Sequence, residues 1–235
     1  EYTVSVKHQT EKYSGLIFDF NGVLWWDNQL QEDSWHDFSA ELRGTPLSDI
    51  EMAEDVHGRN GRYTLELLSG RQLSQQEVEE LMEQKETIYR RMCLEQGGDF
   101  RLSPGAEPLL GYLVAQNIPH TIATASARPN LDFFLEHLDL ARWFDPALIV
   151  YDDGTMAGKP APDFYLVAAD RLNLPPERCV VVEDSISGMQ AAHAAGIGRV
   201  IALVGDGGHV QRVELPPDTF VIRDLTELDR TQFVR

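Results

Sequence analysis

The sequence predicts an α/β protein whose core is a parallel β-sheet covered by helices on both faces. The first observation is a set of short apolar runs that fit buried strands, most of them followed by a helical pattern. The second is the stretch 27–100, which carries long helical patterns and no convincing strand. We therefore expect a Rossmann-like core from residues 1–26 and 101–235, and an inserted helical cap from residues 27–100.

The strands and helix ends of the core are predicted from residue type. Ser103 before Pro104 fits an N-cap followed by a first-turn proline. Pro129 fits a second helix start, and Gly196 fits the end of a helix over Ile186–Ala195. The predicted strands are Leu16–Phe20, His120–Ala125, Leu148–Tyr151, Val180–Glu183, Val200–Leu203 and Thr219–Ile222.

The predicted cap has one clear helix start. Ser74 followed by Glu77 has the spacing of a capping box, in which each residue bonds the backbone of the other. Beyond it, helical spacing places apolar residues on one side, which we interpret as packing surface. These residues are Val78, Leu81, Met82, Ile88, Tyr89 and Met92.

Composition restricts the partners that we expect. Thirty-eight acidic against twenty basic residues give a formal charge of -18, which repels nucleic acid and anionic membranes. No apolar stretch approaches the roughly 20 residues needed to cross a bilayer, and residues 1–14 do not fit a secretion signal. We expect a soluble cytoplasmic monomer, with Cys93 and Cys179 as packed free thiols.

Acidic residues follow two of the predicted strands. Asp19 ends the first strand ahead of a glycine turn at Gly22, and Glu183 and Asp184 end another. Groups at the carboxyl ends of parallel strands line the ligand crevice, where three carboxylates repel each other unless a cation joins them. Hard oxygen ligands suit Mg²⁺. Taken singly, each acid also fits a turn residue or a helix cap.

Two further segments fit the binding of a phosphate group. Lys159 lies between a glycine and a proline, which hold it on a stiff loop from which it can reach a phosphate as a point charge. Ser126, in the segment 124–127, offers a hydroxyl and backbone N–H groups at a helix start, which form an anion seat. Taken singly, these residues also fit a solvated lysine and an N-cap.

The four motifs are those at Asp19, at 124–127, at Lys159 and at Glu183–Asp184. In this order along the chain they resemble the haloacid dehalogenase-like superfamily, and within it the β-phosphoglucomutase and phosphatase branch with a helical cap. The resemblance covers residues 15–225. It implies that Asp19 attacks phosphorus and becomes an aspartyl-phosphate. It also implies that Ser126 and its neighbours Ala127 and Arg128 hold the substrate, and that Lys159 balances charge. The implied Mg²⁺ ligands are Asp19, the backbone carbonyl of Asn21 and Asp184, with Glu183 acting directly or through water.

Asn21 departs from the pattern of that family, in which an aspartate at this position protonates the leaving oxygen. An amide cannot transfer a proton near neutral pH, and such acid–base help is typically worth roughly 10²–10⁴-fold. We therefore expect activated esters to be cleaved in preference to alkyl phosphates.

The substrate is expected to be a small phosphorylated metabolite. By resemblance, Arg59 in the cap is a candidate contact for a distal anion of the substrate, with Arg62 and Arg128 as weaker candidates. A solvated cap surface is the alternative for all three. Trp25 and Trp26 fit either the entrance beneath the cap or core packing.

A hydrolase is the favoured activity, and three alternatives stay open. A sugar-phosphate mutase differs only in whether water or a second sugar hydroxyl accepts the phosphoryl group. A dehalogenase needs no leaving-group acid, but Lys159 and the Glu183–Asp184 pair favour a metal-dependent phosphatase. A non-catalytic phospholigand-binding protein would have no use for the nucleophile Asp19.

Overall fold

A computed structural model describes residues 12–56, 60–205 and 215–233. Its centre is a six-stranded parallel sheet in the order β3-β2-β1-β4-β5-β6, which confirms the predicted fold class. The strands are β1 (Gly15–Phe18), β2 (His120–Ala127), β3 (Val150–Asp152), β4 (Cys179–Glu183), β5 (Arg199–Leu203) and β6 (Thr219–Ile222).

All six predicted strands are present, and five differ from the prediction at one or both ends; β4 and β5 differ only in starting one residue earlier. The strand β1 stops at Phe18, before the Asp19 loop. The strand β2 continues to Ala127 through a register shift against β3 after Ala123. The strand β3 begins only at Val150, because Pro146–Leu148 forms a 3-10 turn capped by the Asp145 side chain.

The described residues form eight α-helices in addition to the sheet. The second is a single turn that continues into a π-helical turn at Met52–Val56. The helices are α1 (Asn28–Arg43), α2 (Asp49–Glu51), α3 (Gly61–Ser69), α4 (Gln75–Glu95), α5 (Ala106–Ala115), α6 (Arg128–His137), α7 (Asp163–Arg171) and α8 (Ile186–Ala194).

The two faces of the sheet pack into separate apolar clusters. Along β1, Leu16 and Phe18 belong to one cluster and Ile17 to the other. Along β4, Val180 and Val182 alternate in the same way with Val181. Alternate side chains of a strand point to opposite faces, so both faces of the sheet are covered, as a parallel sheet requires.

The helical patterns of the sequence hold with one correction. Ser74 caps α4 in a capping box with Glu77, as predicted. The interpretation of Ser103 as an N-cap was wrong. Its hydroxyl donates to the carbonyl of Val23, and Gly105 occupies the N-cap position of α5. A long-range hydrogen bond therefore uses the side chain that local spacing assigned to the helix.

The helices α1 to α4 lie between β1 and β2 in the chain and share an apolar cluster of their own. Eight buried side chains form it: Trp35, Phe38, Leu47, Met52, Leu65, Leu68, Leu73 and Ile88. Both cysteines are buried and unpaired, as expected. In the part of the chain that the structure describes, no helix combines the length and apolarity needed to cross a membrane.

The helical segment offers a test of its packing on a single helix. Leu65 of α3 is fully buried, whereas Leu67 on the same helix is 43% exposed. Leu65→Ala should lower the free energy of unfolding by roughly 2–5 kcal/mol, because it removes packed methyl groups and leaves a cavity. Leu67→Ala should change it by at most about 0.5 kcal/mol. Urea unfolding measures both, and equal effects of the two substitutions would contradict this packing.

Candidate active site

The candidate site lies where the order of the strands reverses. The strand β1 pairs with β2 on one side and with β4 on the other, and a crevice opens at such a point beyond the carboxyl ends of the strands. Phe18 pairs with Val182, so Asp19 emerges beside Glu183, the last residue of β4. The backbone N–H of Asp19 donates to the carbonyl of Val182.

Lys159 joins these two acids. Its Nζ lies 3.0 Å from Oδ1 of Asp19 and 2.6 Å from Oε1 of Glu183. The side chain of Lys159 is only 8% exposed, and that of Glu183 is fully buried. The ammonium is therefore fixed between two carboxylates in a region with little solvent to screen their charges.

The carboxylate of Glu183 is held on both oxygens. Its Oε1 also accepts a hydrogen bond of 2.7 Å from the hydroxyl of Tyr165. Its Oε2 accepts from the backbone N–H groups of Asp184 and Ser185 and from the hydroxyl of Ser185. A Cβ on Gly188 would come within 1.7 Å of Oε1, so a glycine is needed for Glu183 to pack against the first turn of α8.

Asp19, Glu183 and Asp184 form a cluster that could hold a metal ion. Each offers a carboxylate oxygen, and these atoms lie within 4.8 Å of one another. Asp184 packs directly over Gly22, where an added Cβ would come within 1.9 Å of Oδ2. Gly22 has a φ of 74°, so the turn after Asp19 favours a glycine on both grounds.

The charges of the cluster are not balanced by Lys159 alone. Burial, and then the charge of Glu183, raise the pKa of Asp19 to about 7, although Lys159 opposes them. Burial, and then the charges of Glu183 and Asp19, raise the pKa of Asp184 well above its ordinary value. Burial would also raise the pKa of Glu183, but Lys159 lowers it overall. The single ammonium stabilises Glu183 most, and two acids are left without a full counter-charge.

Asn21 has a partner on each side of its amide. Oδ1 accepts from the hydroxyl of Ser126 at 2.8 Å, and Nδ2 donates to Oδ2 of Asp27 at 2.7 Å. Asp27 is 1% exposed, and burial raises its pKa although Tyr89, Gln31 and Asn21 oppose this with hydrogen bonds. The backbone N–H of Ser126 donates to Oγ1 of Thr124, so both donors of Ser126 have partners within the protein.

A cavity of about 700 Å³ opens beside Asp19, between the edge of the sheet and α4. Asp19, Asn21, Ser126 and Ala127 line its floor. On the helical side its lining includes Gln31, Gly61, Val78, Glu79, Met82, Glu83 and Glu86.

The predicted arginines do not line the described part of this cavity. Arg128 forms an ion pair with Asp132 and stacks on Tyr151. Arg62 donates to Glu66 and to the carbonyl of Leu73. Arg59 lies outside the described residues.

The structure brings together most of the predicted site and adds residues that sequence reasoning missed. Asp19, Asn21, Ser126, Lys159, Glu183 and Asp184 meet at one edge of the sheet. Trp25 is core, and with Trp26 it lines a separate pocket. The missed residues are Tyr165, Asp27, Gln31, Lys85 and Tyr89. Helical spacing predicted only Tyr89 among them, as packing surface, because spacing indicates which face of a helix a residue occupies and not the partner of its hydroxyl.

The chain is similar to phosphatases and to a hydrolase of known structure. A carbohydrate-phosphate phosphatase of Thermotoga maritima is 31% identical over 80% of this chain and 84% of its own length. A fructose-1-phosphate phosphatase of Escherichia coli is 29% identical over 81% of this chain and 96% of its own length. The crystal structure of a family IA, variant 3 HAD hydrolase from Entamoeba histolytica superposes with a TM-score of 0.86 at 33% identity, covering 93% of this chain and 96% of that one.

The profile of haloacid dehalogenase-like hydrolases matches residues 13–196, a span that contains Asp19, Ser126, Lys159, Glu183 and Asp184. This chain therefore belongs to the haloacid dehalogenase-like hydrolase family.

Proposed function

We propose that this protein is a Mg²⁺-dependent phosphoric monoester hydrolase that acts on a small phosphorylated metabolite through an aspartyl-phosphate at Asp19. The observation that carries the proposal is the placement of one ammonium, that of Lys159, against Asp19 and Glu183. The third acid, Asp184, stands within the same cluster. The phosphatases of phosphorylated carbohydrates among the relatives support a sugar phosphate as the substrate.

Two bond exchanges account for the reaction. An oxygen of Asp19 forms a bond to phosphorus as the bond to the leaving oxygen breaks. Asn21 cannot donate a proton as an acid would, so the leaving alkoxide takes its proton from water. Water then attacks the phosphorus of the aspartyl-phosphate, which releases inorganic phosphate and restores Asp19. Lys159 lies against the nucleophile throughout and offsets the negative charge that gathers there.

Ser126 must change partner when a phosphoryl group arrives. Its hydroxyl donates to Asn21 and its backbone N–H to Thr124, so neither donor points to a ligand in this arrangement. Rotation of the hydroxyl away from Asn21 would direct it to a phosphoryl oxygen. The amide of Asn21 would then lose an acceptor contact and keep its bond to Asp27.

The acids of the cluster fit a hard divalent cation. Three carboxylates and one ammonium leave two negative charges uncompensated, and carboxylate oxygens are ligands that Mg²⁺ prefers. Asp19, Asp184 and the backbone carbonyl of Asn21 would hold the ion, while Glu183 is already engaged on both oxygens. When bound, Mg²⁺ supplies a Lewis acid for the phosphoryl oxygens.

The nucleophile is tested by covalent trapping. Asp19→Asn should abolish the release of inorganic phosphate, because an amide oxygen is a poor nucleophile. In the wild type, intact-mass spectrometry after rapid acid quench of a reaction with p-nitrophenyl phosphate should show a protein heavier by one phosphoryl group. Asp145→Asn, an exposed cap of a 3-10 turn, is the control and should retain both signals.

A phosphoryl adduct that persists in Asp19→Asn would contradict this assignment. Sugar phosphates should be tested alongside the aryl ester. Free phosphate as the product supports a hydrolase, whereas an isomerised sugar phosphate would show a mutase.

The metal site is tested by a pair of glycine substitutions. Gly22→Ala places a Cβ against Asp184, and we expect a loss of Mg²⁺ affinity of roughly 10–100-fold. Gly154→Ala is the matched control. Gly154 has a φ of 78°, close to that of Gly22, but an added Cβ meets nothing within 4 Å. Calorimetric titration with Mg²⁺ measures the affinity directly, and equal losses in the two variants would contradict the role of Asp184.

The missing acid is tested by the leaving group. In the wild type, the single-turnover rate of aspartyl-phosphate formation should fall steeply from aryl to alkyl phosphates, because no side chain at position 21 can protonate the leaving oxygen. The fall should exceed that of an acid-assisted reaction by roughly 10²–10⁴-fold. Similar rates for p-nitrophenyl phosphate and an alkyl phosphate would show that another group supplies the proton.

A further inference from the structure

Asp27 is a buried carboxylate that none of the preceding chemistry uses. Its Oδ1 accepts a hydrogen bond of 3.0 Å from the backbone N–H of Gly22. Its Oδ2 accepts from Asn21 at 2.7 Å, Tyr89 at 2.6 Å and Gln31 at 3.0 Å. None of these described partners is cationic. A carboxylate that is 1% exposed is thus satisfied entirely by neutral donors.

The direction of these hydrogen bonds is fixed by a lysine. Nζ of Lys85, a group that can only donate, lies 2.6 Å from Oε1 of Gln31. The oxygen of the Gln31 amide must therefore face Lys85, and its nitrogen faces Asp27. Lys85 is itself buried, with its ammonium over the rings of Trp35 and Tyr89.

The same logic orients Asn21. Because Asp27 accepts from Gln31 and Gly22, its carboxylate requires a donor from Asn21, so Nδ2 of Asn21 faces it. Oδ1 of Asn21 is left to accept from Ser126. Every bond in the series from Lys85 to Ser126 therefore has one defined direction, and such series reinforce one another in a buried setting.

These residues belong to different parts of the fold. Gln31 lies on α1, Tyr89 and Lys85 lie on α4, and Ser126 lies on β2. Asn21 and Gly22 form the turn directly after Asp19. Asp27 precedes α1, and through it Gln31 and Tyr89 contact the turn of the candidate nucleophile. Tyr89 also contacts the turn directly, because its hydroxyl oxygen accepts a hydrogen bond of 3.3 Å from Nδ2 of Asn21.

We propose that Asp27 is a positioning residue, which fixes the amide of Asn21 and the turn at Gly22 and couples both to the placement of α1 and α4. The expected effect on turnover rests on the proposed function. The positioning of Asn21 and Gly22 by Asp27 does not depend on it. It also gives Asn21 a role, because the surroundings of position 21 require a side chain that donates on one side and accepts on the other.

The first experiment observes Asn21 without using activity. In ¹H–¹⁵N NMR spectra, the side-chain amide of Asn21 is assigned by its loss in Asn21→Asp. In the wild type we expect slow exchange of its protons with solvent. Asp27→Asn and Tyr89→Phe should each shift this resonance and speed its exchange at least tenfold.

Two controls separate this effect from general loosening. Tyr63→Phe removes a hydroxyl that donates to half-buried Asp55, and Gln29→Leu removes an amide that donates to Asp33 on α1. Both should leave the Asn21 resonance unchanged, whereas Gln31→Leu should move it. An Asn21 amide that is unaltered in folded Tyr89→Phe and Gln31→Leu would overturn the proposal, whether or not the protein proves to be a phosphatase.

The second experiment exchanges the two side chains. Asn21→Asp alone would set two carboxylates about 2.7 Å apart, and Asp27→Asn alone would set donors against donors. The double variant Asn21→Asp/Asp27→Asn restores one donor and one acceptor at this contact. Both single variants should have a lower melting temperature than the wild type. The melting temperature of the double variant should be higher than the value expected from adding the two single decreases.

Turnover supplies the last readout of the same variants. Asp27→Asn should lower kcat for p-nitrophenyl phosphate by roughly 10–100-fold, as outer groups around a metal site do, with a smaller change in KM. Strictly additive melting shifts, or a kcat that follows only the loss of folded protein, would show that Asp27 serves stability alone.

Discussion

The site depends on one shared cation. Lys159 lies between Asp19 and Glu183 and offsets the cost of burying both carboxylates at the edge of the sheet. The pairing requires β1 and β4 to be neighbours, because only their register places residue 19 beside residue 183. It also requires the loop after β3 to return across the ends of both strands. The charge balance of the site therefore depends on the order of the strands in the sheet.

A second layer of contacts holds the first in place. Tyr165 of α7 and the amides at the start of α8 fix Glu183, which in turn fixes Lys159. On the other side of Asp19, Asp27 holds Asn21 and Gly22 with help from α1 and α4. The loop that carries Asp19 is therefore supported by Glu183 on the side of the sheet and by Asp27 on the side of α1 and α4.

The sequence was sufficient for the architecture and for the acids and lysine at its centre. Apolar runs identified every strand, and the motifs ending three of them met at one edge of the sheet. Strand ends were less predictable, because they depend on single contacts such as the Asp145 side chain that caps the turn ahead of β3. Ser103 was misread for the same reason, since its partner Val23 lies eighty residues away in the chain.

The residues that hold the site from outside could not be predicted from the sequence, for a physical reason. Asp27 follows two tryptophans and has no motif around it, and Lys85 and Gln31 meet across 54 positions of sequence. Residue spacing can show that Tyr89 faces inward, but its hydroxyl partner depends on how α4 packs against the loop after β1. Contacts of this kind are set by tertiary structure and leave no periodic trace in the chain.

Gly188 shows how closely such support is fitted. Its missing side chain leaves the volume that the carboxylate of Glu183 fills, so the backbone of α8 forms one wall of a socket for that acid. A methyl group at position 188 would act as a wedge that drives Glu183 away from Lys159. The electrostatic environment of Asp19 can therefore be altered from α8, which contributes no side chain to the acid cluster, by steric means alone.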